Sequence, residues 1–207
     1  MRGSFILLSL LACASPALAT DVTVEVRTQS GAPAREAVVS LYPAGRPAPL
    51  PALRKTYEIA QQNIQFSPFV LVVPVGANVA FPNYDKVRRH VYSFSPAKRF
   101  ELKLYAREQN RTVHFDKPGP VPLGCNIHDN MTAFILVADT GLSAKTGADG
   151  RVTFADVPAG PVVVRVWHPY LRAPDNAVEV HWAVASPHPM LQVKVALRPP
   201  PSAAPAY

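Results

Sequence analysis

Four side chains with metal-binding chemistry stand near the middle of the sequence. Within VPLGCNIHDNMTAFILV, residues 121–137, a cysteine, a histidine and a methionine follow one another at intervals of three, as Cys125, His128 and Met131. A tight loop between two strands can turn the first two toward one point, and Met131 can reach that point axially. His90, at the start of an earlier predicted strand, is the best candidate for the fourth ligand. Two imidazoles, a thiolate and a weak thioether are the ligand set of a mononuclear blue-copper site.

Other metals and other roles account for these residues less well. Structural zinc prefers four nitrogen or sulfur ligands in a closed tetrahedron, and a thioether is a poor zinc ligand. The sequence has no H-x-H pair and no H-E-x-x-H motif, which multi-metal oxidases and zinc hydrolases use. Taken singly, Cys125 is explained as a small buried hydrophobe, Met131 as core filler and His90 as a surface or capping residue. The metal interpretation therefore depends on their joint order.

The N-terminus predicts export. The chain begins MRGSFILLSLLACASPALA, with Arg2 in a short basic region, an apolar run over residues 5–14 and an A-x-A signal at residues 17–19. We expect cleavage after Ala19 and a periplasmic or secreted protein. In an alternative interpretation, the residues Leu10-Leu11-Ala12-Cys13 form a lipoprotein signal, and Cys13 is acylated.

The cysteine usage of the exported chain is unusual. Cleavage after Ala19 removes Cys13 and leaves Cys125 as the only cysteine. Exported proteins mostly use cysteine in pairs, and a lone thiol in an oxidising compartment is prone to oxidation unless it is buried or bound. A metal at Cys125 would explain why the thiol is there.

The composition predicts an all-β protein. The 207 residues include 23 prolines, and Val-rich segments alternate between apolar and polar residues, a pattern of short strands joined by turns. The formal net charge is +7, but the basic residues are scattered and form no stripe that would indicate nucleic acid. After the signal, no segment is long and apolar enough to predict a membrane span.

Residues 64–139 resemble a cupredoxin. The segments VPVGANVAFPNYDKVRRHVYSF and CNIHDNM carry the resemblance, and the short C-x2-H-x2-M loop is most similar to that of the amicyanins. The resemblance implies a Greek-key β-sandwich with one-electron transfer as its activity. It implies one type 1 copper, bound by His90, Cys125, His128 and Met131. Many cupredoxins have Asn after the first ligand histidine, where this chain has Val91, and we expect Asn126 to link the two ligand segments instead.

The two ends of the chain resemble a different β-sandwich. DVTVEVRTQSGAPAREAVVSLYPAG and TGADGRVTFADVPAGPVVVRVWHP are similar to the two halves of a carboxypeptidase-regulatory-like domain. This implies that the cupredoxin is inserted in, or flanked by, a second small sandwich, in which residues 21–45 pair with strands after residue 140. The expected division is a signal peptide (1–19), a first regulatory-like part (20–57), the cupredoxin domain (58–139), a second regulatory-like part (140–197) and a disordered tail (198–207).

The sequence leaves two functions open. One is a one-electron carrier with a redox protein as its partner, and the other is a copper-binding or copper-sensing interaction module; we do not expect an enzyme. A thiolate with two imidazoles and an axial thioether is suited to cycling between Cu(I) and Cu(II), which favours the carrier. Lys86, Arg88 and Arg89, in the loop before His90, predict a positive docking surface for an acidic partner; the alternative is that they only form a solvated loop.

Overall fold

The computed structural model describes residues 19–54, 56–107, 109–126, 131–185 and 189–199. The predictions for the signal peptide up to residue 18, including Cys13, for His128 and for residues 200–207 of the tail lie outside these ranges. Within the ranges the chain folds into strands, with one short 3-10 turn at Pro174–Asn176. None of the described segments is a helix long and apolar enough to cross a membrane.

The strands fall into two groups along the chain. Those of the two chain ends are β1 (Ala19–Thr28), β2 (Val38–Pro43), β13 (Ser143–Lys145), β14 (Arg151–Pro158), β15 (Gly160–Trp167), β16 (Ala177–Val184) and β17 (Met190–Val195). Those between them are β3 (Tyr57–Glu58), β4 (Ala60–Gln62), β5 (Gln65–Ser67), β6 (Val70–Pro74), β7 (Ala77–Ala80), β8 (Arg89–Phe94), β9 (Arg99–Tyr105), β10 (Thr112–Phe115), β11 (Gly119–Gly124) and β12 (Thr132–Ala138).

The strands of the chain ends form one sandwich, called here the end sandwich. One sheet has the order β14-β1-β17 and the other β13-β2-β15-β16. Alternate residues of β1, namely Val22, Val24 and Val26, are fully buried in the core between the sheets, as expected of a strand with one face turned inward. The pairing of β1 with β14 and β17, and of β2 with β13 and β15, is the pairing predicted for residues 21–45.

A buried carboxylate connects the strands of the first sheet. Glu25 on β1 is 3% exposed and accepts hydrogen bonds from Arg27 at 2.7 Å, Arg151 on β14 at 2.9 Å and Gln192 on β17 at 2.6 Å. The bond from Arg27, with those from Gln192 and Arg151, lowers the pKa of Glu25 to about 2. The ionised carboxylate thereby joins three neighbouring strands.

The middle strands form a second sandwich, called here the central sandwich. A five-stranded sheet in the order β6-β12-β11-β8-β9 packs on a three-stranded sheet in the order β10-β7-β3. Side chains from both sheets fill its core, including Val79 and Phe115 from one and Val91, Leu123 and Ile135 from the other. The all-β fold class and the sandwich architecture predicted from the sequence are confirmed.

The end sandwich packs against one half of the five-stranded sheet. Val38 and Trp167 of the end sandwich are buried together with Val70 on β6 and Leu136 on β12. The ring of Phe134, also on β12, meets the Trp167 ring edge to face at a centroid distance of 6.0 Å. The outer face of β6 and β12 is therefore covered, whereas β8 and β9 lie at the opposite edge of the sheet.

Candidate metal centre

Cys125 and Met131 lie at one end of the central sandwich. Strands β11 and β12 are antiparallel neighbours, and Gly124, the last residue of β11, pairs with Thr132, the first residue of β12. Cys125 directly follows β11 and Met131 directly precedes β12, so the thiol and the thioether belong to the same turn of the chain. Cys125 is 3% exposed, Met131 is 1% exposed, and both pack in the central core. Cys125 is a free thiol.

His90 has one hydrogen-bonded ring nitrogen and one without a partner. It is the second residue of β8 and is 5% exposed. Its Nε2 lies 2.9 Å from Oε1 of Glu101 on β9, and because a carboxylate only accepts, Nε2 carries the proton and donates. Its Nδ1 is buried with no hydrogen-bond partner among the described residues. Metal-binding histidines show this arrangement, because the bond at one nitrogen leaves the lone pair of the other free for the metal.

The register of β8 and β11 determines how His90 stands relative to Cys125. Gly124 pairs with Tyr92, so in this antiparallel pair Asn126 comes opposite His90. The Asn126 Nδ2 atom lies 3.5 Å from His90 Nε2. Because both nitrogens are donors when Nε2 donates to Glu101, this contact is not a hydrogen bond between them, and the linking role expected of Asn126 stays a prediction. His90 therefore stands beside Asn126 rather than directly opposite Cys125. The register with β9 shifts between Arg89 and Val91, where the single residue His90 faces two residues of β9, Lys103 and Leu104. His90 lies on the sheet face of Tyr92, whereas Val91, opposite Cys125, packs in the central core with it.

The complete ligand quartet stays a prediction. His128, the second proposed imidazole, belongs to residues 127–130, which lie outside the described ranges. In the described part of the chain, no group of three or more His, Cys, Asp or Glu side chains is placed to hold a metal. The described donors are thus the imidazole of His90, the thiol of Cys125 and the thioether of Met131.

A buried polar network lies at the same end of the central sandwich. The hydroxyl of Tyr105, a fully buried residue, donates to the Phe81 carbonyl at 2.6 Å and accepts from the Gln61 amide. Asn83 donates to the carbonyls of Val87 at 2.8 Å and Tyr105 at 3.2 Å. Burial raises the pKa of Tyr105 to about 12, so its hydroxyl stays protonated. Sequence reasoning missed this network, because nothing local in the sequence marks a polar residue as buried.

The prediction that Arg89 belongs to an exposed docking surface is wrong. Its side chain is 1% exposed, and its guanidinium bonds to Asp85 Oδ2, with Nε at 2.9 Å. Asp85 also accepts from the backbone N–H of Asn63 at 2.8 Å and of Ile64 at 3.3 Å. Burial acts to raise the pKa of Asp85, but the bonds from Arg89 and these N–H groups outweigh it and lower the pKa. Of the three predicted surface cations, Lys86 and Arg88 are exposed.

No protein-family model and no curated protein sequence matches the chain. Among solved structures, it is similar to a Cu-containing nitrite reductase from Thermus scotoductus SA-01, with 25% identity and a TM-score of 0.38 over 40% of this chain and 22% of that one. It is similar to a purple cupredoxin from Nitrosopumilus maritimus, with 20% identity and a TM-score of 0.35 over 39% of this chain and 98% of that one. It is also similar to a mutant of amicyanin in the reduced Cu(I) form, with 18% identity and a TM-score of 0.38 over 50% of this chain and 99% of that one. The chain thus spans 22% of the nitrite reductase and covers nearly all of the two smaller proteins.

Proposed function

We propose that the protein is an exported type 1 copper protein that acts as a one-electron carrier. The observation that carries the proposal is the state of His90, whose Nε2 is held by Glu101 while its buried Nδ1 has no partner among the described residues. The free thiol of Cys125 and the thioether of Met131 are buried at the same end of the sandwich. In this proposal His128 supplies the second imidazole.

The donor set fits copper better than the other common metals. Thiolate and thioether are soft ligands that select copper, and two imidazoles with one cysteine and a distant methionine suit a copper that cycles between Cu(I) and Cu(II). The chain's own contribution is positional. Glu101 keeps the proton on Nε2 and so fixes the imidazole tautomer of His90, while the packed core keeps water from Cys125.

We also propose the division of the chain that the sequence suggests. The cupredoxin domain would occupy residues 58–139, between the two parts of a regulatory-like domain at 20–57 and 140–197. The two separate cores support this division, because the central core draws its buried residues from 59–137 and the end core from 22–41 and 154–195. The same proposal has three further parts. Residues 1–19 direct export, the partner is an acidic redox protein, and the protein has no enzymatic activity.

Copper titration tests the proposed function. We expect the purified protein to bind one equivalent of Cu(II) per chain with an intense thiolate-to-Cu(II) band in the visible spectrum, because a thiolate ligand gives that transition. The band should disappear on reduction and return on reoxidation. A colourless Cu(II) complex would end the type 1 assignment. Binding of copper that does not cycle would favour the alternative function, a copper-binding module.

Replacing Met131 by leucine should raise the reduction potential while copper and colour remain. Leucine keeps the apolar volume of this buried position but removes an axial donor that stabilises Cu(II). We expect a rise of at least about 59 mV, a tenfold change in the one-electron equilibrium, measured by redox titration of the visible band. Met190→Leu is the matched control, because Met190 is 56% exposed on the end sandwich and should leave the potential unchanged. Loss of copper from Met131→Leu would mean that the ligands are misassigned.

A further inference from the structure

An aromatic row leads from His90 to the protein surface. The rings of His90 and Tyr92 have a centroid distance of 5.8 Å, and those of Tyr92 and Phe94 a distance of 5.2 Å. These are alternate residues of β8, which share one face of the sheet. Phe94 is 69% exposed, and the guanidinium carbon of Arg99 lies 5.1 Å from the centre of its ring. The row thus begins at a proposed copper ligand and ends in solvent.

The middle ring of the row, Tyr92, lies directly on the end of β11, one residue before Cys125. A Cβ atom placed on Gly124 would come within 2.6 Å of Tyr92 Cζ and 2.7 Å of its hydroxyl oxygen, closer than real contacts allow. Only glycine at this position lets the Tyr92 ring pack against the backbone one residue before the thiol. Tyr92 is thereby close to both described ligand segments, the one with His90 and the one with Cys125.

The sheet face that carries this row is open and positively charged. The end sandwich covers the outer face at β6 and β12, whereas β8 and β9 lie at the other edge. On β9 the outward residues are Arg99, Glu101 and Lys103, all exposed, while Phe100 and Leu102 pack toward the core. Arg99 pairs with Phe94 and Lys103 faces His90, so one cation stands near each end of the row, with Glu101, which accepts from His90, between them.

We propose that this open face, formed by Tyr92, Phe94, Arg99 and Lys103, docks an acidic one-electron acceptor protein. An exposed aromatic ring beside an arginine has the composition of an interface centre, and Arg99 with Lys103 would steer a partner of opposite charge. The inference rests on the proposed function. In the docked pair one electron would pass from a Cu(I) ion held by the proposed ligands to the acceptor, which would oxidise the copper to Cu(II) and reduce the acceptor by one electron, with no bond or proton moved. The ring contacts would give that electron a route of packed side chains from His90 to the exposed ring of Phe94.

Line broadening in proton NMR spectra by hexacyanochromate(III) tests the surface without depending on copper. This inert paramagnetic trianion stands in for an acidic partner and broadens the resonances of the groups it touches. We expect selective broadening of Tyr92, Phe94 and Arg99 in the full-length protein, both without copper and in the diamagnetic Cu(I) form. Arg99→Glu should reduce the broadening at this face about fivefold or more, because it replaces an attracting charge by a repelling one. Arg172→Glu, at an exposed arginine of the end sandwich, is the matched control and should leave it unchanged.

Stopped-flow oxidation of the Cu(I) protein by hexacyanoferrate(III), an anion of the same charge, tests the electron route. Arg99→Glu should lower the second-order rate constant about tenfold at low salt, with the copper spectrum unchanged. The proposal is overturned if Arg88→Glu, at the loop before His90, lowers the rate and the broadening while Arg99→Glu does not, or if neither substitution has an effect. A protein that binds no copper would refute the proposed function alone. The broadening experiment would still show whether an anionic partner binds at the face of Tyr92, Phe94 and Arg99.

Discussion

Replacing Cys125 by serine is expected to abolish the visible copper band completely. The band requires a thiolate bound to Cu(II), and a serine hydroxyl stays protonated at neutral pH and is a harder ligand. Cys125 is 3% exposed in the central core, so the serine hydroxyl is buried there and costs about 1–3 kcal/mol of stability. Such a loss is within the usual stability of a domain this size. Absorption spectra at one equivalent of Cu(II), with circular dichroism to verify the fold, measure the effect.

The control for this prediction is a histidine outside the proposed site. His114 lies exposed on β10, where its Nδ1 is 3.0 Å from Asn78 Oδ1, and His114→Gln should keep the band at full intensity. If Cys125→Ser retains the band, the thiol is not a ligand and the proposed copper site is refuted. If His114→Gln loses the band instead, the histidine ligands have been assigned to the wrong residues.

Replacing Arg89 by methionine is expected to lower the free energy of unfolding by about 3 kcal/mol, the cost of removing one partner of a buried ion pair. Methionine keeps much of the side-chain length but leaves the Asp85 carboxylate without the guanidinium that now bonds it. Asp85 also anchors the backbone of Asn63 and Ile64, so the loop before β8 should loosen as well. Chemical denaturation at neutral pH measures the change.

The neighbouring arginine is the matched control for this prediction. Arg88 is exposed, so Arg88→Met should change the free energy of unfolding by no more than about 0.5 kcal/mol. The double variant Arg89→Met with Asp85→Asn should recover much of the lost stability, because no unpaired charge then remains buried. Equal effects of Arg88→Met and Arg89→Met would mean that Arg89 is a surface residue after all.

The strands could be predicted well because their signals are local. In β1 the valines at 22, 24 and 26 alternate with polar or partly exposed residues, and the structure buries all three valines. The pairing of both chain ends in one sandwich was also predicted, although through the resemblance of two separated segments to halves of one domain. Periodicity alone cannot pair strands so far apart, because it indicates which face of a strand is buried and not against which strand it lies.

The sequence by itself determined the identity and order of the donors around the turn between β11 and β12. Cys125 and Met131 lie close together because the chain between them is short, so their proximity needs no distant partner.

Only the tertiary structure decided which of two adjacent arginines is buried, which ring nitrogen of His90 is left without a partner, and which half of the five-stranded sheet stays open. Each of these depends on groups from another segment: Glu101 for His90, and the end sandwich for the covered half of the sheet. Asp85 lies only four residues before Arg89, but the backbone of Asn63 and Ile64, from a separate segment, bonds its carboxylate. Burial and hydrogen bonding arise from how separate segments pack, and neighbouring residues in a sequence carry no record of that packing.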